Sequence, residues 1–102
     1  MTHVVTVLEA HVPPDRAADL QAAYAAAKGP LPRGLVRSTL LQDANDPTSW
    51  RIETVWQSHE AVAAVRLAGR PRGFQIFEAA GTAPSLSMFT AIAELAPSEG
   101  AA

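Results

Sequence analysis

Several side chains in this chain could do chemistry, and their spacing limits what that chemistry can be. Trp56 stands at the end of a strand and beside a helix start, where an indole can line a pocket and offer its N–H to a bound oxygen. Core packing is the alternative use of the same ring. Glu53, three residues earlier, could act as an acid or base if burial shifted it, but Arg37 falls on the strand expected beside it, and a turn centred near Asn45 would pair the two as a cross-strand ion pair. Tyr24 shares a helical stripe with Leu20 and Ala27, so its phenol points towards a sheet, where it could orient a ligand or donate a proton.

The remaining candidates are basic or aromatic. Arg66, Arg70 and Arg72 concentrate positive charge in a short stretch and could receive an anionic or enolate substrate. His59, in the first turn of a helix, could carry a proton at a pocket mouth, and Phe74 and Phe77 could wall one. His3 and His11 lie on one strand with rings ~26 Å apart, too far to share a metal, and no other His/Asp/Glu set has ligand spacing. Trp50 is ~20 Å from Trp56 along its strand, so the two cannot touch one small ligand, and a hairpin-end place at a dimer interface suits it. Gly69-Arg70-Pro71-Arg72-Gly73 lacks the pattern of a phosphate loop, and no G-x-S-x-G elbow occurs.

The elements that must position these groups follow from periodicity. His3 to Val12 reads as a strand, Pro13-Pro14 stops it, and Asp15 to Lys28 is an Ala-rich helix closed by Gly29-Pro30. Leu35 to Leu41 and Trp50 to Gln57 read as an antiparallel hairpin joined by a Gln42–Ser49 turn, with Trp50, Ile52, Thr54 and Trp56 on one face. Ser58 caps a second helix reaching to Gly69, a short helical piece carries Phe74, Ile76 and Phe77, and a fourth strand starts near Ser85. The order β-α-β-β-α-β predicts an α+β, ferredoxin-like split β-α-β fold, an antiparallel sheet with helices on one face. Residues 1–96 form one domain in this reading, and 97–102 a flexible tail.

Composition narrows the classes further. A chain of 102 residues leaves no room for a separate cofactor domain, and 48% hydrophobic content is rich for a domain that buries only roughly 60–65% of its unfolded surface. The surplus predicts a homodimer. A formal charge of −2 argues against a nucleic-acid partner, and the lack of cysteine excludes disulfides and thiolate chemistry. No apolar run approaches membrane-spanning length and no leader pattern is present, so a cytoplasmic protein without a membrane partner is expected.

The segment Trp50 to Phe77, above all Glu53-Thr54-Val55-Trp56-Gln57-Ser58 running into the second helix, resembles the antibiotic biosynthesis monooxygenase family. The resemblance implies a dimeric α/β barrel, two sheets packed face to face. It also implies oxidation of quinols or polyketide-like aromatics by oxygen with no metal or flavin cofactor. Non-catalytic binding proteins, haem degraders and isomerases or cyclases share the fold, so fold alone names no reaction. The chain departs from the anthrone oxidases at Ile52, where they hold asparagine. It departs from the haem degraders at Val7–Glu9, Val65 and Gln75, and Val65 also replaces a helix-two histidine common among relatives.

Overall fold

The structure, a computed structural model, describes residues 2–27, 31–69 and 71–96. Lys28, Gly29, Pro30, Arg70 and the 97–102 tail lie outside the described residues. Four strands, β1 (Val4–His11), β2 (Leu35–Asp43), β3 (Asp46–Trp56) and β4 (Ser85–Thr90), form one antiparallel sheet in the order β2-β3-β1-β4. With α1 (Ala17–Ala26), α2 (His59–Leu67) and α3 (Arg72–Ala79), this is the expected ferredoxin-like α+β arrangement. Among the described residues no helix is long and apolar enough to cross a membrane.

Each helix begins for a local reason. Pro13 ends β1 because it has no N–H for the ladder, and a single 3-10 turn, Pro14–Arg16, leads into α1. Arg16 then ties α1 to the end of α3, donating from Nε to Asp19 at 2.7 Å and from Nη2 to the Ala79 carbonyl at 2.9 Å. Ser58 caps α2, its hydroxyl accepting from the Ala61 N–H at 3.2 Å.

The β2–β3 hairpin is tighter than its sequence suggests. The strands run on to Asp43 and Asp46 around a two-residue turn, not a Gln42–Ser49 loop. Asp43 Oδ1 accepts from the Asn45 N–H at 2.7 Å and Asp46 Oδ1 from the Thr48 N–H at 3.0 Å, so the acidic side chains close the turn locally. Pro47 is tolerated because β3 extends there beyond its last β1 pair, His11 with Ser49. Asp43 pairs with Asp46 but Gln42 with Trp50, so β3 carries extra residues in a bulge. That bulge shifts the register: Glu53 faces Thr39, Arg37 faces Val55, and the expected Glu53–Arg37 pairing does not form. The ion pair on this part of the sheet is Arg51 with Glu9.

Even-numbered β3 residues and their β1 partners face the helices. Leu8, Ala10, Trp50 and Ile52 pack with Leu20, Ile76 and Phe77 in one cluster, while Val4, Trp56 and Val62 form a second beneath α2. Trp50 thus belongs to the helix-covered core, with 6% of its surface exposed, and not to the open face expected for a dimer contact. Its indole N–H is buried without a partner among the described residues.

Gly34 holds the connector against α2. It has φ of +84°, its carbonyl accepts from the Gln57 N–H at 2.8 Å, and a Cβ there would lie 2.5 Å from the Ala61 Cβ. Gly34→Ala is expected to lower stability by about 1–2 kcal/mol from backbone strain alone, and by more from the overlap. An unchanged urea midpoint would show that this close approach does not constrain α2.

Candidate functional site

The two clusters do not merge. Helices α1 and α3 pack on each other over one half of the sheet and α2 covers the other end, leaving a cavity of about 750 Å³ between them. Leu8, Ile52 and Ile76 wall it on one side, Trp56, Val62 and Val65 on the other. A volume of that order suits a multi-ring small molecule.

Of the residues singled out from sequence, Trp56, Tyr24, Arg66 and Phe74 line this cavity together. Glu53 does not. Its register between Val7 and Thr39 puts it on the sheet face away from the helices, with the sheet between it and the cavity. His59 lies on the surface at the start of α2, its Nε2 paired with the Thr90 hydroxyl at 3.3 Å. Phe77 is fully buried in the α1–α3 cluster, because α3 presents Ile76 and Phe77 inwards while Phe74 sits nearer the cavity rim. His3 and His11 bind at opposite ends of β1, to Glu94 at 3.0 Å and to Thr48 at 3.1 Å. Among the described residues no three His, Asp or Glu side chains cluster closely enough to hold a metal.

Trp56 plays a part different from the one its position suggests. Its Nε1–H donates to Thr6 Oγ1 at 2.9 Å, so the indole is held as a fixed wall and its donor is already engaged within the protein. The residue is 7% exposed.

Hydroxyl groups supply the polar floor instead. Thr6, Thr54 and Ser38 sit in one register row across β1, β3 and β2, with neighbouring strands about 4.8 Å apart, and all three line the cavity. The Tyr24 phenol reaches down from α1 to Ser38 Oγ at 3.0 Å, closing the row at the edge strand. Sequence reasoning put Thr54 on the Trp56 face but did not bring Thr6 or Ser38 to it. The β1–β3 register joins residues fifty positions apart, and no local pattern states it. Beside the row, β2 bulges: Leu35 pairs with Trp56 and Arg37 with Val55, leaving Val36 unpaired at the cavity edge.

The cavity lining contains no aspartate, glutamate or histidine among the described residues. It has hydroxyls and arginines only. Such a site can orient an oxygen atom and favour a developing negative charge, but it has no carboxylate or imidazole to take a proton.

A split β-α-β sheet with its helices on one face and a partly open, largely apolar cavity beneath them defines a ferredoxin-like α+β fold. The sequence profile of the antibiotic biosynthesis monooxygenase family matches residues 1–67, about two thirds of the chain, and the protein belongs to that family. Solved structures share the fold. A Nitrosomonas europaea protein of unknown function superposes with a TM-score of 0.71 at 16% identity, covering 97% of this chain and 98% of its own. An antibiotic biosynthesis monooxygenase-type protein from Bordetella bronchiseptica gives 0.68 at 18%, covering 87% and 96%. SnoaB, a cofactor-independent oxygenase from Streptomyces nogalater, gives 0.60 at 22%, covering 97% and 100%. No curated protein matches the chain significantly in sequence.

If the Trp56–Thr6 bond fixes the cavity wall, Thr6→Val should cost about 1–3 kcal/mol by leaving a buried indole donor unpaired. The same change in a Trp56→Phe background should cost much less. Denaturant unfolding of the four proteins measures the coupling, and additive effects would show that the bond contributes nothing.

Proposed function

We propose that this protein is a cofactor-independent monooxygenase acting on a quinol or polyketide-like aromatic bound in the cavity. The observation that carries the reading is the hydroxyl row Thr6–Thr54–Ser38, capped by Tyr24, on the floor of a chamber of multi-ring size that is apolar apart from its hydroxyls and rim arginines. Family membership and the fold shared with SnoaB support monooxygenase-like chemistry in general terms.

In this reading Tyr24 and Ser38 bind the substrate's phenolic or carbonyl oxygen. Trp56 and Phe74 flank the ring system. Arg66 at the rim favours the anion electrostatically, which lowers the acidity barrier where no side-chain base lines the site. The substrate's activated carbon gives its proton to a water molecule at the open rim, which later returns one to the peroxide, and the carbanion passes one electron to O2. The radical pair then recombines into a C–O bond, and loss of water from the hydroperoxide leaves a carbonyl. One oxygen atom ends in the product and the other in water. Apolar walls exclude bulk water from the radical pair. Glu53, His59 and Phe77 have no part in this scheme, because none of them lines the cavity.

A second copy of the chain is the proposed cover for the open face of the sheet, where half-buried Val5 and Val7 and exposed Phe89 flank the buried Val55 opposite the helices. Phe89 is 55% exposed there. A monomer in sedimentation at micromolar concentration would remove that part of the proposal.

A second reading, a non-catalytic binding protein, is favoured by the lack of any carboxylate or imidazole in the lining. The same lack argues against an isomerase or cyclase, which needs an acid/base pair. Oxygen uptake separates them. With chelator present and autoxidation subtracted, the wild type should consume oxygen with an anthrone, and Tyr24→Phe should lower kcat/KM by about ten-fold or more, with Trp56→Phe also impaired. No uptake from folded protein across anthrones and quinols would leave the binding reading.

A further inference from the structure

The cationic side chains are segregated. Of the six described arginines, Arg16 and Arg51 are paired with carboxylates, Asp19 and Glu9, away from the cavity. Of the other four, Arg33, Arg66 and Arg72 line the main cavity or a second, open cleft of about 540 Å³, while Arg37, paired with Val55, borders the main cavity at β2 with its side chain on the opposite sheet face. No acidic residue lines either space among the described residues, although the whole chain is net negative with ten acidic against eight basic residues. The side chains of Arg33 and Arg66 have no ion-pair or hydrogen-bond partner among the described residues, and Arg72 Nη1 donates to the Ala27 carbonyl at 3.5 Å.

The two spaces are continuous. Leu31, Pro32, Val65, Pro71 and Arg72 line both, forming a neck between the α2–α3 break and the connector that leads into β2. Beyond the neck lie Arg33, Gly69 and Gln75, and within it the walls are apolar down to the hydroxyl row. An aromatic body therefore meets apolar walls first, and positive charge is placed only where that body would end. Arg33, Arg66 and Arg72 are exposed, so their attraction for an anion at the neck is screened by salt. A neutral ligand would leave the Arg33 and Arg66 side chains without a charged partner, and a dication or polycation would be repelled.

We propose that the cavity takes an apolar aromatic acid, with its ring system against Leu8, Ile52 and Trp56 and its carboxylate at the neck between Arg33, Arg66 and Arg72. This rests on the reading of the cavity as the ligand site and adds a permanent anionic group, distinct from the phenol or carbonyl at the hydroxyl row. The carboxylate sets orientation: with the charged end held at the neck, the opposite end of the ring system points at Tyr24 and Ser38.

The test is equilibrium binding by calorimetry without turnover, using anthraquinone-2-carboxylate and its neutral counterpart 2-(hydroxymethyl)anthraquinone. Wild-type protein should bind the acid ~10-fold or more tightly at low salt, with the preference shrinking at about 0.5 M salt. Arg66→Gln and Arg33→Gln together should bring the two affinities within ~3-fold by weakening the acid alone. Arg51→Gln, on the opposite sheet face, should keep the preference. Equal affinities in the wild type, a preference that survives the double substitution, or no binding of either probe by folded protein would each overturn the proposal. Oxygen uptake with a neutral anthrone and no charge preference would sink this inference while the oxygenase reading stands. A salt-sensitive preference without uptake would do the converse.

Discussion

The pairing of β3 between β1 and β2 is the constraint on which the rest of the molecule depends. Because strand side chains alternate, this register puts Trp50, Ile52, Thr54 and Trp56 under the helices and sends Arg51 and Glu53 to the other side. A slip of one residue would exchange the two sets. It would also break the row that joins Thr6, Thr54 and Ser38, since each belongs to a different strand. The cavity floor is thus a property of three strands at once, and the Trp56–Thr6 bond is a local expression of the β1–β3 pairing.

The helices then decide where space remains. Leu20 and Phe77, both fully buried, bring α1 and α3 together over one half of the sheet, each burial contributing about 1.5–3 kcal/mol. Helix α2 is held to the other end by its Ser58 cap, by Val62 over Trp56, and by the close approach of Gly34 to Ala61. Two separate anchors hold the walls apart. An open apolar pocket between two packed clusters forgoes the burial that their closing would gain, so its presence at the hydroxyl row fits a binding role better than a folding one.

Much of this was legible in the sequence. Strand alternation in Trp50–Trp56, the Ser58 cap and the Pro/Gly breaks each state a local fact, and together they specify the β-α-β-β-α-β order. The site was legible only in part. Tyr24, Trp56 and Phe74 could be placed beside the cavity because each sits on an element whose inward face is readable from its own neighbours, whereas exposed Arg66 stood out only for the arginines gathered at the helix break. Glu53 and Arg37 could not be paired correctly, since the β3 bulge next to Asp46–Trp50 moves the register without a distinctive sequence mark. His59 and Phe77 show the same limit: helix phase separates surface from core, but it does not say which buried residues border a cavity. The hydroxyl row escaped notice because threonine and serine in strands are ordinary strand formers until long-range pairing brings them together.

Central to the account is that ligand binds between the two clusters, against Trp56 and away from Trp50. These are the only two tryptophans, and their indole N–H groups differ in kind, one bonded to Thr6 and one buried without a partner among the described residues. The most direct measurement is therefore an NMR titration of the 15N-labelled indole groups with a neutral anthraquinone. The account predicts that the Trp56 resonance moves to saturation while that of Trp50 stays in place. Movement of Trp50 alone, or of neither at saturating ligand, would contradict it.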